Sequence, residues 1–230
     1  MNISGLVKSS LIDYPGKVAA VVFTQGCNFR CGFCHNPDLI PIIGGQISEN
    51  ELFKYLDKRK NILDGVVITG GEPLIQKDIS TFIEKIKSMG LLVKLDTNGS
   101  SPKALGLLLK KGLVDYVAMD IKGTLAQYHN ISSYSNKRFI QESIKLLKNS
   151  KIKYEFRTTV LPQYHKIEDF KNIGKLIAGA NKYVVQGFRP EITLDRSLAN
   201  KEPFTLREME QICQIMKEYV KEVVLHKNLN

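Results

Sequence analysis

Long apolar runs are missing from this sequence of 230 residues, and the longest uninterrupted one covers only residues 18–23. A membrane-spanning helix needs about 20 apolar residues, so we expect no segment that crosses a membrane. The first 20 residues also lack a basic start followed by an apolar core, which is the pattern of a secretion signal. We therefore expect a cytoplasmic protein without a membrane partner.

Concentrated positive charge is also absent, although 33 Lys and Arg residues outnumber 23 Asp and Glu residues and give a formal net charge of +10. The lysines are scattered along predicted helix faces, with neither a basic run longer than three residues nor an aromatic-rich RNA-binding motif. Solvated helix surfaces explain this distribution. We expect no nucleic-acid partner, and an acidic patch on a protein partner would fit the charge equally well.

Cysteine is scarce, but three of the four cysteines fall within the stretch CNFRCGFCHNP at residues 27–37. Disulfides are rare in the reducing cytoplasm, so a tight group of cysteines indicates metal binding or redox chemistry. The fourth, Cys213, shares a helical apolar stripe with residues of the segment 206–220. We expect it in the core, because a free cysteine packs as a small hydrophobic residue.

Three kinds of site fit the cysteine stretch. Cys31, Cys34 and His35 spell the CxxCH motif of covalently attached haem, and the three cysteines with His35 can complete a closed zinc site. The three cysteines alone can carry an iron–sulfur cluster that leaves one iron open. Attachment of haem is expected outside the cytoplasm, which counts against the first kind of site.

Short strand-like runs alternate with amphipathic segments along the chain. The predicted strands cover residues 18–24, 65–69, 92–96, 114–120, 154–160 and 183–186. Capping boxes begin helices at Ser48 and Thr205, and glycines end helices at Gly90 and Gly112. Apolar strands separated by helices predict an α/β fold with a parallel sheet and right-handed crossovers. No linker or repeat is visible, so we predict a single domain over residues 1–230.

Unusual polar motifs lie at the ends of these predicted strands. The cysteines follow the first strand, GGEP the second, DTNG the third, MDIK the fourth, RTTVLP the fifth and QGFRP the sixth. The carboxyl ends of parallel strands meet at one edge of a sheet, where the following loops build an active site. The sequence therefore predicts an active site that includes the cysteine loop.

The motif CNFRCGFC resembles the CxxxCxΦC signature of the radical S-adenosylmethionine (radical SAM) superfamily, with Phe33 at the aromatic position, and TGGEPL resembles its GGE motif. This resemblance implies a partial (β/α)6 TIM-like barrel with its core over residues 16–190 and a C-terminal helix and strand over residues 204–226. It also implies a [4Fe–4S] cluster and S-adenosylmethionine as cofactors. Cys27, Cys31 and Cys34 would be the catalytic metal ligands, with the fourth iron open to the cofactor.

Further positions match motifs that contact the cofactor in this superfamily. A zwitterionic methionine group needs acceptors for its ammonium and cationic donors for its carboxylate. The resemblance assigns Asp96, Thr97 and Asp120 to the neighbourhood of the carboxylate, around a possible monovalent cation. The other assigned cofactor-binding residues are Gly70, Gly71, Glu72, Asn98, Lys122 and Arg157.

Within the superfamily, the CHN, DTNG and MDIK motifs resemble those of the enzymes that activate glycyl radical enzymes. The opening sequence, residues 5–37, is similar to the branch that activates anaerobic ribonucleoside-triphosphate reductase. The resemblance implies reductive cleavage of S-adenosylmethionine and generation of a glycyl radical on such a partner. Reduced ferredoxin or flavodoxin would supply the electron.

The sequence departs from this family pattern in two respects. Activating enzymes often place a histidine after the sixth strand to meet the ribose, whereas this chain has QGFRP, so Gln186 or Arg189 would take that role. With four cysteines, the chain lacks the inserted ferredoxin-like domain of several relatives. His165, in the loop after the fifth strand, is expected at the surface.

Two other interpretations stay open. One keeps the radical chemistry but assigns a small molecule or a peptide as substrate, as in the 7-carboxy-7-deazaguanine synthases, which share GGEP. The other is a non-enzymatic iron–sulfur or zinc protein, for which polar motifs at six strand ends would be superfluous.

Overall fold

A computed structural model describes residues 1–226 of the chain, so residues 227–230 of the predicted domain lie outside the described residues. The strands are β1 Ile3–Ser10, β2 Ala19–Thr24, β3 Gly65–Gly70, β4 Leu92–Thr97, β5 Tyr116–Asp120, β6 Lys153–Val160, β7 Lys182–Gly187 and β8 Glu222–His226. The helices are α1 Glu49–Arg59, α2 Ile79–Ser88, α3 Pro102–Lys110, α4 Tyr128–Ser132, α5 Lys137–Lys148, α6 Asp169–Leu176 and α7 Leu206–Lys217. In this part of the chain, none of the helices has the length and apolar character needed to cross a membrane.

One eight-stranded sheet holds all the strands in the order of the chain. Strands β2 to β8 are parallel, and β1 pairs with β2 in the antiparallel direction. Within residues 1–226, no pairing joins β1 to β8, so the sheet is an open barrel. The α/β class and the partial barrel predicted from the sequence are confirmed.

The six predicted strands correspond to β2–β7, with ends shifted by no more than two residues. The predicted C-terminal helix and strand correspond to α7 and β8. Strand β1 was not predicted, because its sequence ISGLVKSS mixes polar and apolar residues without clear alternation. It is an edge strand, and seven of its eight residues are partly or fully exposed.

Local sequence signals set the helix ends as predicted. The capping boxes of Ser48 with Glu51 and of Thr205 with Glu208 are both formed. Gly90 and Gly112 follow α2 and α3 with φ of 81° and 64°, a conformation that only glycine adopts without strain.

Two apolar clusters pack on opposite faces of the sheet. The larger one fills the space between the sheet and the helices, and the half-buried Cys213 packs against it as expected. The smaller one lies inside the barrel, where Tyr14, from the β1–β2 loop, packs against Tyr116 with ring centroids 6.0 Å apart. The inner face is therefore closed by side chains at one end, and the carboxyl ends of the strands remain for a site.

Two helical glycines make a matched test of this packing. A Cβ atom on Gly174 of α6 would lie 2.3 Å from Cδ2 of Tyr219, whereas one on Gly106 of α3 would lie 3.6 Å from the nearest atom, Cδ1 of Leu146. We expect Gly174→Ala to lower the free energy of unfolding by about 1–3 kcal/mol through overpacking. Gly106→Ala should raise it by about 0.5–1 kcal/mol, because alanine favours the helix. Urea unfolding measures both, and shifts of the same sign would contradict the packing described.

Candidate functional site

A cavity of about 190 Å³ opens at the carboxyl ends of β2–β6. Its walls contain all three cysteines of the motif and nine of the ten predicted cofactor-binding residues. These predicted residues are Cys27, Cys31, Cys34, Phe33, Gly70, Gly71, Asp96, Thr97, Asn98, Asp120, Lys122 and Arg157. The exception is Glu72, which lies behind the wall.

The cysteine loop curls over this cavity. Cys31 is buried, Cys27 and Cys34 are half-buried, and all three are free thiols. The amide of Cys34 donates to the carbonyl of Cys31 at 3.0 Å, and the amide of Phe29 donates to Sγ of Cys27 at 3.4 Å. Burial raises the pKa of Cys27 to about 12 and that of Cys31 to about 11. A metal bound here would displace these protons, because thiolates are the ligands.

The donor set fits an iron–sulfur cluster. Within residues 1–226, no group of three or more His, Cys, Asp or Glu side chains is placed to hold a metal ion. A cluster takes one thiolate at each of several separate irons, and the three thiols are distributed around one cavity. His35, the fourth donor of the zinc alternative, also lines the cavity and stacks on Phe188 with ring centroids 6.1 Å apart.

The two glycines of GGEP let the β3 end approach the β2 end closely. Gly70 has a φ of 111°, and a Cβ atom there would lie 2.4 Å from the amide nitrogen of Thr24. A Cβ atom on Gly71 would lie 2.1 Å from the carbonyl oxygen of Gly26, next to the cysteine loop. Any side chain at Gly70 or Gly71 would therefore push the two loops apart.

Glu72 is fully buried and joins two loops instead of facing the cavity. Its carboxylate accepts from Oγ1 of Thr97 at 2.6 Å, from the amide of Asn98 at 2.6 Å and from the amide of Leu74 at 3.0 Å. Burial raises its pKa to about 7, although these donors oppose the shift. Glu72 thus sets the position of the DTNG loop relative to the GGEP loop.

The raised pKa of Glu72 predicts a pH dependence of stability. The folded apoprotein holds this proton more tightly than the unfolded chain, so the contribution is complete below pH 4.5 and is lost as the pH rises through about 7. Histidines whose pKa is lowered, His165 among them, contribute the opposite slope below pH 6.5, so we expect Glu72→Gln to gain stability relative to the wild-type protein as the pH rises through this window. Urea titrations across this window test this expectation.

Glu51→Gln is the control for this experiment. Glu51 is an exposed capping-box residue whose pKa is lowered by its hydrogen bonds to Ser48, so its own window lies below pH 4.5. An unchanged slope in Glu72→Gln would contradict the assignment.

Five charged residues form one connected network at the cavity floor. Arg157 donates from Nε to Oδ1 of Asp120 at 3.0 Å and from Nη1 to Oδ2 of Asp96 at 3.3 Å. Lys94 Nζ donates to Asp96 at 2.6 Å, and Lys122 Nζ donates to Asp120 at 3.0 Å. Lys122 and Arg157 thus line the cavity as cations that are each paired with a carboxylate.

The network controls the protonation of its carboxylates. Burial by itself would raise the pKa of Asp120, but the charges of Lys122 and Arg157 outweigh burial and hold the pKa at about 2. At Asp96, burial also acts to raise the pKa, but the charges of Arg157 and Lys94 outweigh burial and the pKa is lowered. Both carboxylates are therefore ionised at neutral pH.

The expected surface position of His165 is wrong. The side chain is 2% exposed, its Nδ1 accepts from the amide of Leu161 at 3.3 Å, and its Nε2 lies 2.8 Å from the carbonyl oxygen of Lys122. Burial lowers its pKa, so the ring is neutral and donates from Nε2. Together with Tyr128, whose hydroxyl accepts from the amide of Lys122 at 3.3 Å, it fixes the backbone of the MDIK loop.

Several residues of the site were not predicted. Lys94 and Thr159 each stand two residues from a predicted one, Asp96 and Arg157, so the period of a strand could have placed them on the same face. Asn28 accepts from Nδ2 of Asn98 at 3.0 Å, and no local pattern indicates that long-range contact.

An adjoining cavity of about 680 Å³ shares His35, Asn36 and Thr159 with the first. Gln186 and Arg189, the predicted substitutes for the ribose contact, line this second cavity and are not in the wall of the first. Gln186 and Arg189 therefore lie beside the cysteine loop and not beside the charged network.

Comparison with known sequences gives consistent results. The profile of the radical SAM superfamily matches residues 21–177. A protein of Methanocaldococcus jannaschii that bears the name glycyl-radical enzyme activating enzyme is 34% identical in an alignment of 229 positions, gaps included, that covers 97% of this chain and 95% of that protein. The pyruvate formate-lyase-activating enzyme of Clostridium pasteurianum is 28% identical in an alignment of 240 positions, gaps included, that covers 94% of this chain and 97% of that enzyme.

Solved structures share the fold at low sequence identity. Streptococcus suis SuiB bound to S-adenosylmethionine superposes with a TM-score of 0.68 at 14% identity, over 88% of this chain and 48% of that one. A domain of the pyruvate-formate lyase-activating enzyme of Bacteroides vulgatus gives a TM-score of 0.58 at 13% identity, over 71% of this chain and 99% of that one.

Proposed function

We propose that this chain, which belongs to the radical SAM superfamily and, within it, to the enzymes that activate glycyl radical enzymes, generates a glycyl radical on anaerobic ribonucleoside-triphosphate reductase. Membership implies a [4Fe–4S] cluster and S-adenosylmethionine as cofactors. Together these supply a one-electron cleavage of a carbon–sulfur bond and the abstraction of a hydrogen atom. The protein's own residues must bind, orient and shield these groups.

The observation that carries the proposal is the convergence of the predicted residues on one cavity. Cys27, Cys31 and Cys34 would hold three irons, and no further cysteine of residues 1–226 lines the wall. Lys122 and Arg157, which line the cavity, suit the cofactor carboxylate as its donors. The backbone at Gly70 and Gly71 would meet the ammonium end.

The choice of partner rests on a separate observation. Residues 5–37 resemble the branch that activates anaerobic ribonucleotide reductase, and reduced ferredoxin or flavodoxin would supply the electron. A monovalent cation near Asp96, Thr97 and Asp120 stays a prediction, since both carboxylates are paired with cationic side chains here. The single domain without a ferredoxin-like insertion and the cytoplasmic location also stay predictions.

The test begins with protein reconstituted anaerobically with iron and sulfide. Mixed with dithionite and S-adenosylmethionine, it should release methionine and 5′-deoxyadenosine. Addition of anaerobic ribonucleotide reductase should then produce the glycyl doublet in electron paramagnetic resonance spectra, with pyruvate formate-lyase as the comparison partner. Cofactor cleavage without a doublet on any glycyl radical enzyme would favour a small-molecule or peptide substrate. Zinc in place of iron and sulfide would contradict the whole proposal.

A further inference from the structure

A long apolar groove runs between α3 and α5 on the outside of the barrel. We call it the α3–α5 groove, and its volume is about 1530 Å³. Leu107 and Phe139, which line it, are 46% and 39% exposed, although both are large apolar residues. Two large apolar side chains exposed in one groove, with charged residues beside them, make a candidate protein interaction site.

The charged residues that line the groove are mostly lysines. Four lysines line it, and Glu142 is the single acidic residue among the lining residues. Glu142 is already engaged, because Nε of Arg138 donates to it at 2.8 Å. The lining lysines are Lys103, Lys110, Lys145 and Lys151. A partner that fits must therefore present acidic side chains around an apolar centre.

One end of the groove reaches the cysteine loop. Ser100, in the groove wall, accepts a hydrogen bond at its Oγ from Nδ2 of Asn28 at 2.8 Å, and Asn28 is bonded directly to Cys27. The hydroxyl of Tyr134 donates to the carbonyl of Ser100 at 3.2 Å. The ring of Tyr134 lies against Phe29, a residue of the cavity wall, with centroids 4.6 Å apart.

This end of the groove is therefore linked to Cys27, a proposed cluster ligand, by the hydrogen bond between Ser100 and Asn28 and by the peptide bond between Asn28 and Cys27. An exposed cation also touches the ligand loop here, since Arg30 donates from Nη1 to the carbonyls of Cys27 and Phe29 at 2.7 and 2.8 Å. A redox partner bound in the groove would approach the cluster through the outer side of the cysteine loop and not through the cavity. The cavity mouth would stay free for the cofactor and the glycyl partner.

We propose that the α3–α5 groove is the docking site of the acidic one-electron carrier that reduces the cluster. This inference rests on the function proposed above. One electron leaves the carrier, which is oxidised, and enters the cluster, which is reduced, and no atom is transferred. Attraction between the lysines of the groove and the acidic surface of the carrier steers their encounter, and this attraction weakens as the salt concentration rises.

The test uses the cluster-loaded protein and flavodoxin as the acidic probe. Calorimetry measures the affinity for oxidised flavodoxin, and stopped-flow absorbance measures the rate at which reduced flavodoxin loses its electron. We expect Lys103→Glu/Lys145→Glu to lower both by about 10-fold or more at low ionic strength, and the difference to vanish at high salt. Lys58→Glu/Lys171→Glu is the matched control, because it changes the net charge equally on exposed residues outside the groove.

The outcomes distinguish this inference from the proposed function. Equal effects of the two double variants, or no effect of either, would overturn the docking site. So would a concentration-dependent dimer that only the groove variant loses, or a groove variant that fails to activate the reductase with dithionite as reductant. Dithionite is small and reaches the cluster without docking. If dithionite drives no cofactor cleavage even in the wild-type protein, the proposed function itself fails.

Discussion

Replacement of any one of Cys27, Cys31 or Cys34 by Ala is expected to abolish cleavage of S-adenosylmethionine. Each thiol lines the same cavity, and no other cysteine of residues 1–226 lies there to substitute for a lost ligand. The loss should exceed about 100-fold. Mutation of a residue that only hydrogen-bonds to a metal ligand already costs about 10–100-fold in metal affinity or activity, and loss of the ligand itself costs more. Iron and sulfide content, visible absorbance and release of 5′-deoxyadenosine measure the effect.

Cys213→Ala is the matched control for these variants. Cys213 is half-buried on α7, packs against the main core and does not line the cavity. Its replacement should leave iron content and cofactor cleavage at the wild-type level. Cleavage that survives in a protein lacking all three motif cysteines would rule out the cluster assignment.

Arg157→Leu is expected to cost the most stability of any single change at the cavity floor. Arg157 is 14% exposed and pairs with both Asp120 and Asp96, so its removal leaves two carboxylates in a largely buried site with one cation each. Because each carboxylate keeps a lysine partner, the expected loss is that of hydrogen bonds to charged groups, about 1.5–3 kcal/mol. Urea unfolding of the apoprotein should show a loss of this size.

Arg138→Leu provides the comparison for that loss. Arg138 also pairs with a carboxylate, that of Glu142 at 2.8 Å, but its side chain is 84% exposed. Removal of an exposed pair within a helix costs about 0.5 kcal/mol or less. If the two variants lost similar stability, the floor network would not be the buried, coupled unit described here. Calorimetric titration with S-adenosylmethionine should also show weaker binding to Arg157→Leu than to Arg138→Leu.

Strands and helix ends were predictable because their signals are local. Capping boxes, glycines with positive φ and runs of apolar residues act within a few residues, and six strands were found within two residues of their ends. The edge strand β1 was not predicted from the sequence. An edge strand pairs with one neighbour, so fewer of its residues need to be apolar. The burial of His165 was not predicted either, because its hydrogen-bond partners are backbone groups, which the identity of a residue does not reveal.

The sequence by itself determined that the cysteine loop and five polar motifs would meet at one edge of a parallel sheet, because chain direction and strand order place them there. Only the tertiary structure decided which contacts each motif residue makes. It put Glu72 behind the cavity as a link between loops and tied Arg157 to two aspartates at once. It also set Gln186 and Arg189 in the adjoining cavity, outside the wall of the first. Hydrogen bonds and ion pairs between distant residues depend on distances of a few ångströms in three dimensions, which motif spacing along the chain does not fix.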